Sequence, residues 1–355
     1  MTIRCAVIGL GMGRGHAKAY SEHKDCQLVA VADIDAARRE RAAKEWNCAT
    51  YTTAEELLEK AKADVVSIAT PNALHRPLTL AALASGAHVL CEKPIAMTAA
   101  EGREMVAAAK TAGRRLMINL SYRFSPQSQV LKNLVDGGAL GKVYAGRTVW
   151  LRRRGIPGLG GWFTDKKLSG GGPLIDLGVH RLDLALWLMG HPKSTWVMAG
   201  AWNHLGSRIG ASQGKSYSVE DLAMAMIRFE DGSMLEVEAG WAANIKEGEL
   251  METRLLGTEG GLVQKNVGEG YDFQAEVFQE RNGTQLDLSP HGPFPECKSA
   301  YHHFVEAIRD GKPHTATGED GVAVQELLDA IYLSAAEGRP VAMGATTTKT
   351  GAGTG

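Results

Sequence analysis

Residues 3–16 read IRCAVIGLGMGRGH, an apolar run that leads directly into a glycine-rich turn. A strand that feeds such a turn, with a helix behind it, is typical of the dinucleotide-binding unit of α/β proteins. Gly9 permits a tight turn, and Gly11 lets the backbone approach a pyrophosphate without a Cβ in the way. The helix that follows presents free N–H groups to the anion. The segment therefore predicts a dinucleotide-binding site.

The spacing of these glycines is irregular. The third glycine of the usual motif would fall at position 14, which is Arg14 here. We expect a loop one residue shorter, in which Gly13 or Gly15 lets the helix pack closely on the strand. The predicted cofactor contacts from this turn are four residues: Gly9, Gly11, Met12 and Gly13.

An acidic residue supports the same interpretation. The next apolar run, residues 28–32, ends at Asp33, about 20 residues beyond the turn, where a carboxylate can accept both ribose hydroxyls of NAD. Asp33 would also repel the 2′-phosphate of NADP, and the residue after it is Ile34 rather than a basic or hydroxyl residue. We therefore predict NAD as the cofactor and Asp33 and Ile34 as contacts. NADP is the alternative, which Arg38 on the next helix would favour.

The rhythm of strands and helices divides the chain in two. Over residues 1–122, short apolar strands alternate with helical stretches, which predicts a doubly wound parallel sheet in an NAD(P)-binding domain. Residues 123–343 carry runs of strands without intervening helices, which predicts an α+β domain with an open, mostly antiparallel sheet. We expect this domain to bind substrate and to form the oligomer, with a closing helix able to pack back on the first domain. Residues 344–355, rich in Thr and Gly, predict a disordered tail.

Composition argues against several classes of protein. The 355 residues carry 39 basic and 40 acidic side chains, so neither nucleic acid nor an anionic membrane is an expected partner. The five cysteines form no C-x-x-C pair, which argues against a zinc site or a disulfide framework. No apolar stretch approaches the length of a membrane span and the first residues lack a signal-peptide pattern, so we expect a cytoplasmic protein.

Three further segments carry chemistry. Residues 70–75 (TPNALH) and 92–94 (EKP) each follow a predicted strand, at the carboxyl edge where ligands bind in such sheets. Residues 169–183 open a long helix that begins near position 173, and they place Asp176 and His180 on one helical face. Taken singly, each segment has an ordinary structural explanation, such as a solvated lysine or an i,i+4 pair. Together with the cofactor motif they predict a catalytic centre.

These segments resemble the Gfo/Idh/MocA oxidoreductase family. The resemblance runs from Gly9 to about Val341 and depends most on residues 92–94 and on the pattern Asp176-x-Gly-x-His180. It implies a Rossmann domain followed by an α+β domain, with dimers or tetramers that associate through the open sheet. It also implies oxidation or reduction of a secondary alcohol of a sugar, glycoside or inositol. Five further cofactor contacts follow from it: Thr70, Pro71, Asn72, His75 and Glu92.

The resemblance assigns the catalytic positions to Lys93, Asp176 and His180, and the chemistry fits. Removing hydride from a carbinol carbon requires a base for the hydroxyl proton, and His180 is a natural base near neutral pH. Lys93 can hold the hydroxyl oxygen, stabilise the alkoxide that develops and contact the cofactor. Asp176 can orient the substrate. Whether Lys93 or His180 is the formal proton acceptor stays open at this point.

Substrate contacts are predicted from side chains that suit sugars. Aromatic faces match C–H surfaces, and Arg or Lys donors match hydroxyls. The predicted contacts are Arg123, Trp162, Lys166 and Tyr301. No metal site is predicted, because Asp176, His180 and Asp183 would need a further ligand.

Three functions compete at this point. The first is an NAD-dependent dehydrogenase of a polyhydroxylated ring. The second is a glycoside hydrolase that uses bound NAD as a recycled redox cofactor. The third is a non-catalytic NAD-binding regulator, which the joint presence of Lys93, Asp176 and His180 disfavours.

Overall fold

The computed structural model describes residues 2–295 and 298–344. The opening apolar run forms the first of six parallel strands. These strands are β1 (Ile3–Ile8), β2 (Cys26–Ala32), β3 (Ala49–Tyr51), β4 (Val65–Ile68), β5 (His88–Cys91) and β6 (Leu116–Ile118). Their spatial order is β3-β2-β1-β4-β5-β6, so the order reverses between β1 and β4. Ligands of doubly wound sheets bind beyond the carboxyl ends of the strands at such a switch point.

Helices cover both faces of this parallel sheet. They are α1 (Gly13–Glu22), α2 (Ala36–Trp46), α3 (Ala54–Lys60), α4 (His75–Ala84) and α5 (Ala99–Thr111). Because neither face meets water, the strands are apolar throughout rather than alternating, and β4 is buried at every position. The predicted doubly wound fold is confirmed.

The second domain holds a nine-stranded sheet. Its strands are β7 (Val143–Arg152), β8 (Ser194–Trp202), β9 (Leu222–Phe229), β10 (Met234–Gly240), β11 (Glu249–Gly257), β12 (Gly260–Asn266), β13 (Phe273–Arg281), β14 (Thr284–Leu288) and β15 (Val341–Ala342). The order is β14-β13-β12-β11-β7-β10-β9-β8-β15. The pair β7 and β10 is parallel and every other pair is antiparallel. This confirms the predicted open, mostly antiparallel sheet.

Helices cover only one face of this larger sheet. The helices of the domain are α6 (Pro126–Asp136), α7 (Lys166–Ser169), α8 (Val179–Leu188), α9 (His204–Ser212), α10 (Ala300–Arg309) and α11 (Gly318–Glu337). Inward side chains such as Ile227 and Leu235 pack with Leu182 of α8 and Leu328 of α11 in one buried cluster. Strand β9 alternates between buried and exposed positions, which is typical of a sheet with one free face.

The last two long helices join the domains. Phe304 and Val305 of α10 lie in the core of the first domain. Helix α11 packs against α5 of the first domain and β8 of the second. Within the described ranges, no helix combines the length and apolar character that crossing a membrane requires. The tail predicted to be disordered lies, apart from Gly344, outside the described residues.

The helix predicted to begin near position 173 starts with a wide turn. Residues Leu174–Gly178 form one π-helical turn, in which the Val179 N–H bonds the Leu174 carbonyl, and α8 follows. The buried Glu220 carboxylate accepts from the N–H groups of Gly172 (2.8 Å) and Leu174 (3.1 Å) at the start of this turn. Such turns recur at functional sites because they re-aim side chains within a helix.

Candidate active site

The glycine-rich turn is a tight cradle at the end of β1. Gly9 has φ +90°, and a Cβ there would lie 2.4 Å from the Ala69 carbonyl oxygen. A Cβ on Gly13 would lie 2.9 Å from Val7 Cγ1, whereas one on Gly15 would have room. Gly13 is therefore the residue that lets α1 pack on the sheet. This assigns the close-packing role that the sequence left open between Gly13 and Gly15.

Asp33 closes the cradle from the end of β2. Its Oδ2 accepts the Leu10 N–H (2.6 Å) and its Oδ1 accepts the Asp35 N–H (2.8 Å), so the carboxylate is fixed beside the turn. Arg38 Nη1 lies 3.5 Å from Asp33 Oδ2. Two apolar side chains near this turn stand in solvent, Met12 (72% exposed) and Ile34 (89% exposed). This apolar surface would be covered by a bound nucleotide, and the cradle and the carboxylate fit NAD.

The loop after β4 contributes both contacts and an unpaired polar group. Asn72 Nδ2 donates to the Ser169 carbonyl oxygen (2.7 Å), which ties the first domain to the loop before the π-helical turn Leu174–Gly178. Thr70 Oγ1 is buried and has no hydrogen-bond partner among the described residues, so it is available to a bound cofactor. Pro71 precedes the short 3-10 turn Asn72–Leu74.

His75 holds two loops together. Its ring is fully buried, with Nδ1 2.8 Å from the Pro94 carbonyl oxygen and Nε2 3.0 Å from the Thr70 carbonyl oxygen. Burial lowers the pKa of this ring, which favours its neutral form. The structure therefore places His75 behind the cofactor-side loops, as a positioning group rather than a group open to a ligand.

Glu92 is the centre of a buried hydrogen-bond network next to Lys93. Its Oε1 accepts from His16 Nε2 (2.8 Å) and Asn119 Nδ2 (2.7 Å), and its Oε2 lies 3.2 Å from the Lys93 amide nitrogen. Burial alone raises the pKa of a carboxyl, but the bonds and charge of these partners outweigh it and lower the pKa of Glu92 to about 2. Glu92 is therefore a fixed anion that orients the backbone at Lys93.

The catalytic candidates from the two domains meet at one point. Lys93 Nζ donates to Asp176 Oδ1 (2.7 Å) and to the Asp176 carbonyl oxygen (3.0 Å). The other carboxylate oxygen, Oδ2, accepts from Trp241 Nε1 (3.1 Å). Burial opposes the charge of Asp176, but Lys93 outweighs it and lowers the pKa of this carboxyl. Both side chains keep about 15% exposure, so the pair stays open to a ligand.

His180 lies one turn along the helix and faces aromatic rings. Its ring centroid is 5.1 Å from that of Tyr122 and 5.7 Å from that of Trp150. Burial and the positive charge of Lys93 lower the pKa of His180 to about 3. Its Nδ1 is buried and has no partner within the described part of the chain. At neutral pH the ring is therefore uncharged, as a base must be, although the lowered pKa makes it a weaker proton acceptor than an ordinary histidine.

The four predicted substrate contacts lie in different settings. The Trp162 ring stacks on Phe163 (3.8 Å), which contacts Trp241 (6.3 Å), so Trp162 lies two rings away from Asp176. Tyr301 lies over the ring of His16, 4.4 Å away, on the side of the first domain. Lys166 is exposed on α7.

Arg123 is not brought to the site. It is 1% exposed, and its guanidinium binds Asp183 (2.6 Å) and Asp320 (3.0 Å). Asp183 is likewise buried, and its carboxylate is engaged by Arg123. Among the residues the structure describes, no group of three His, Cys, Asp or Glu side chains could hold a metal ion.

One further cluster packs beside His180 through Trp150, and its hydrogen-bond pairing was not predicted from the sequence. Glu249 Oε1 accepts from Trp150 Nε1 (2.6 Å) and Arg152 Nε (2.7 Å), and Arg152 Nη2 donates to the Tyr271 hydroxyl (2.8 Å). Trp150 and Arg152 share one face of β7, a signal that strand periodicity offers. Glu249 pairs with Arg152 across β7 and β11, and this register is not readable from sequence.

Two family models together match most of the chain. Residues 3–120 match the Gfo/Idh/MocA model described as an oxidoreductase family with an NAD-binding Rossmann fold. Residues 132–343 match the model described as the C-terminal alpha/beta domain of the same oxidoreductase family.

Individual relatives match over nearly the full length. The chain is 34% identical over 350 residues to a D-glucoside 3-dehydrogenase of Escherichia coli, covering 96% of this chain and 97% of the relative. A levoglucosan dehydrogenase in complex with NADH has a TM-score of 0.84 at 26% identity, covering 96% and 99% of the two chains. An aldose-aldose oxidoreductase from Caulobacter crescentus, complexed with glycerol, has a TM-score of 0.82 at 27% identity, covering 97% and 100%.

Proposed function

The chain belongs to the Gfo/Idh/MocA oxidoreductase family, and from that premise we propose that Lys93, Asp176 and His180 oxidise a ring hydroxyl of a sugar or glycoside. Membership confirms the predicted fold, the NAD cofactor and the class of enzyme, an oxidoreductase acting on CH–OH groups of sugars or polyols. The proposal concerns the residues, their roles and the substrate.

The observation that carries the proposal is the contact between Lys93 Nζ and Asp176 Oδ1 (2.7 Å) across the two domains. A hydroxyl placed there meets an ammonium that can donate to its oxygen and stabilise the negative charge that develops. Asp176 holds the ammonium in place and is held in turn by Trp241.

The proton of the hydroxyl goes to His180 in this proposal. Its ring is neutral well below pH 7, and its buried Nδ1 has no partner within the described residues. Lys93 is already engaged with Asp176, so it acts as a donor to the oxygen rather than as the base. Of the two residues between which the sequence left the choice open, we therefore propose His180 as the proton acceptor.

The cofactor is held by groups already in place. We assign the pyrophosphate to the turn of Gly9–Gly13 at the start of α1, the ribose hydroxyls to Asp33, and a polar contact to Thr70. Bound NAD supplies the hydride acceptor. Glu92 accepts the backbone N–H of Lys93 and so orients this residue between the cofactor-binding groups and Asp176.

Assembly and location complete the proposal. The free face of the nine-stranded sheet exposes Met198, Met224 and Met226, and we propose that a second copy of the chain covers it in a dimer or tetramer. We place the enzyme in the cytoplasm, where NAD-dependent metabolism keeps a pool of oxidised cofactor, and cell fractionation tests this.

One assay tests the function. The purified protein is incubated with NAD and a panel of hexoses, methyl glucosides, disaccharides and inositols, and NADH absorbance is followed together with release of aglycone or free sugar. NADH formation with a sugar or glycoside is the expected result. Cleavage without net NADH would indicate the glycoside hydrolase instead. Nucleotide binding without either product would indicate a regulator and would overturn the proposal.

A further inference from the structure

A cavity of about 460 Å³ opens at the junction of the two domains. Its walls include the aromatic residues Tyr122, Tyr271 and Phe273, and its polar lining includes Gln127 and Asp272. This volume lies in the range of small-molecule sites, and the mixture of rings with a few polar groups is their usual composition. Neither the cofactor cradle nor the Lys93–Asp176 pair contributes to this lining.

Two aromatic contacts connect this cavity to the catalytic histidine. The Tyr122 ring lies 5.1 Å from His180 and 5.5 Å from Phe273. The Trp150 ring lies 5.7 Å from His180 and 6.1 Å from Tyr271. The rings that flank His180 therefore also touch the rings that line the cavity. One layer of rings, Tyr122 and Trp150, therefore separates His180 from the other rings that line this space.

Tyr271 is exposed and yet fixed. It is 58% exposed, whereas Tyr122 and Phe273 are half-buried and Trp150 is buried. Its hydroxyl accepts from Arg152 Nη2 (2.8 Å), and Glu249 holds Arg152 through Nε (2.7 Å). An anchored and exposed aromatic ring that lines an open cavity is a ready surface for the C–H face of a sugar.

We propose that this cavity is the subsite for the second ring of a glycoside, whose first ring is oxidised at Lys93, Asp176 and His180. The proposal rests on the proposed function and narrows its substrate class to disaccharides and glycosides with a ring-sized aglycone. Tyr271 stacks on the second ring, and the polar groups of Gln127 and Asp272 bond its hydroxyls. A free monosaccharide or an inositol fills only the catalytic side and leaves this space to water.

The test compares one-ring and two-ring substrates. NADH formation is measured with methyl α- and β-glucoside and with the disaccharides maltose and cellobiose, for wild type, Tyr271→Ala and Tyr271→Phe. We expect Tyr271→Ala to lower kcat/KM for the preferred disaccharide about tenfold, mainly through KM, because a stacked ring is lost. Its effect on methyl glucoside should stay within about twofold.

One control variant separates the Tyr271 ring from its hydrogen bond to Arg152, and a second tests whether the effect is specific to this position. Tyr271→Phe keeps the ring and removes the bond to Arg152, so most of the preference for the disaccharide should remain. Tyr144→Ala removes a similarly exposed tyrosine (51%) that does not line the cavity, and should leave the preference unchanged. Equal losses with one-ring and two-ring substrates in Tyr271→Ala would overturn the subsite.

A binding measurement keeps the test independent of turnover. Saturation-transfer NMR on the protein with NADH reports which ring of maltose or cellobiose contacts the protein. Signals from both rings, with the second weakened in Tyr271→Ala, are expected. Contact through one ring only, or no binding, would overturn the subsite even where NADH forms with other sugars. Absence of NADH with every substrate would instead contradict the proposed function.

Discussion

Lys93 and Asp176 lie 83 positions apart in the chain and 2.7 Å apart in space, one in each domain. The lysine follows the β5 strand of the parallel sheet, and the aspartate lies on the wide turn that begins the helix of the second domain. The contact between the two side chains therefore forms only where the domains meet. The proposed cofactor cradle lies in one domain, so we expect cofactor binding and turnover to depend on largely different residues.

The first prediction separates turnover from cofactor binding. Lys93→Ala should lower kcat/KM on the order of 10²–10³-fold, because the donor to the developing alkoxide is lost. NAD affinity, measured by calorimetry, should change by less than about threefold, because the cradle and Asp33 are intact. Lys167→Ala, which removes an exposed lysine of α7, is the control and should behave as wild type. Wild-type turnover in Lys93→Ala would exclude the proposed centre.

The second prediction concerns pH. Burial and Lys93 lower the pKa of His180 to about 3, so the folded enzyme keeps this ring neutral far below the ordinary value near 6.5. The acid limb of kcat/KM should therefore have its midpoint below about pH 5 rather than near 6.5. The profile is measured from pH 4 to 8, with circular dichroism as the control for unfolding. A midpoint near 6.5 that disappears in His180→Asn would contradict the lowered pKa.

The lowered pKa of His180 also makes the stability of the folded protein decrease at acid pH. Because the folded pKa lies below the unfolded one, the neutral ring contributes stability above about pH 6.5, and this contribution falls as the pH falls towards 3. Glu92, whose pKa is lowered to about 2, loses its contribution over the range from about 4.5 down to 2. Both effects weaken the fold on the acid side.

The parts of the site that the sequence predicted are those encoded locally. A strand, a glycine turn and Asp33 lie within one short segment, and Asp176 and His180 are related by helical spacing alone. The missed groups depend on pairing between distant segments. Glu249 reaches Arg152 through the register of β7 and β11, and nothing near Glu249 indicates this.

Arg123 was predicted as a substrate contact, and the structure places it elsewhere. In sequence, an arginine beside a predicted site looks the same whether it binds substrate or a distant acid. Here its guanidinium binds Asp183, 60 positions away, and Asp320, 197 positions away, and becomes buried. His75 is similar, because its ring nitrogens lie against two backbone carbonyls that only the folded chain brings together.

The third prediction concerns the choice between NAD and NADP. Asp33 Oδ2 lies 3.5 Å from Arg38 Nη1, so removing the charge leaves a cation where a 2′-phosphate would bind. Asp33→Asn should raise the ratio of kcat/KM with NADP to that with NAD at least about tenfold. Arg38→Ala in that background should remove the gain. The matched control is Asp35→Asn, which neutralises the other carboxylate 3.5 Å from Arg38. An unchanged ratio in Asp33→Asn would exclude Asp33 as the discriminating group.

The fourth prediction concerns the free face of the nine-stranded sheet. Met224 and Met226 alternate with the buried residues of β9, Met198 on the neighbouring strand pairs with Met226, and each of the three is at least 38% exposed. In a two-fold dimer the same patch meets itself, so methionines would pack on methionines and a charge introduced there would face its own copy. Met226→Lys should therefore shift the protein to monomers in analytical ultracentrifugation. Leu134→Lys, an equally radical change at an exposed position of α6, is the control and should leave the assembly intact. An unchanged sedimentation coefficient in Met226→Lys would mean that the copies do not associate through this face.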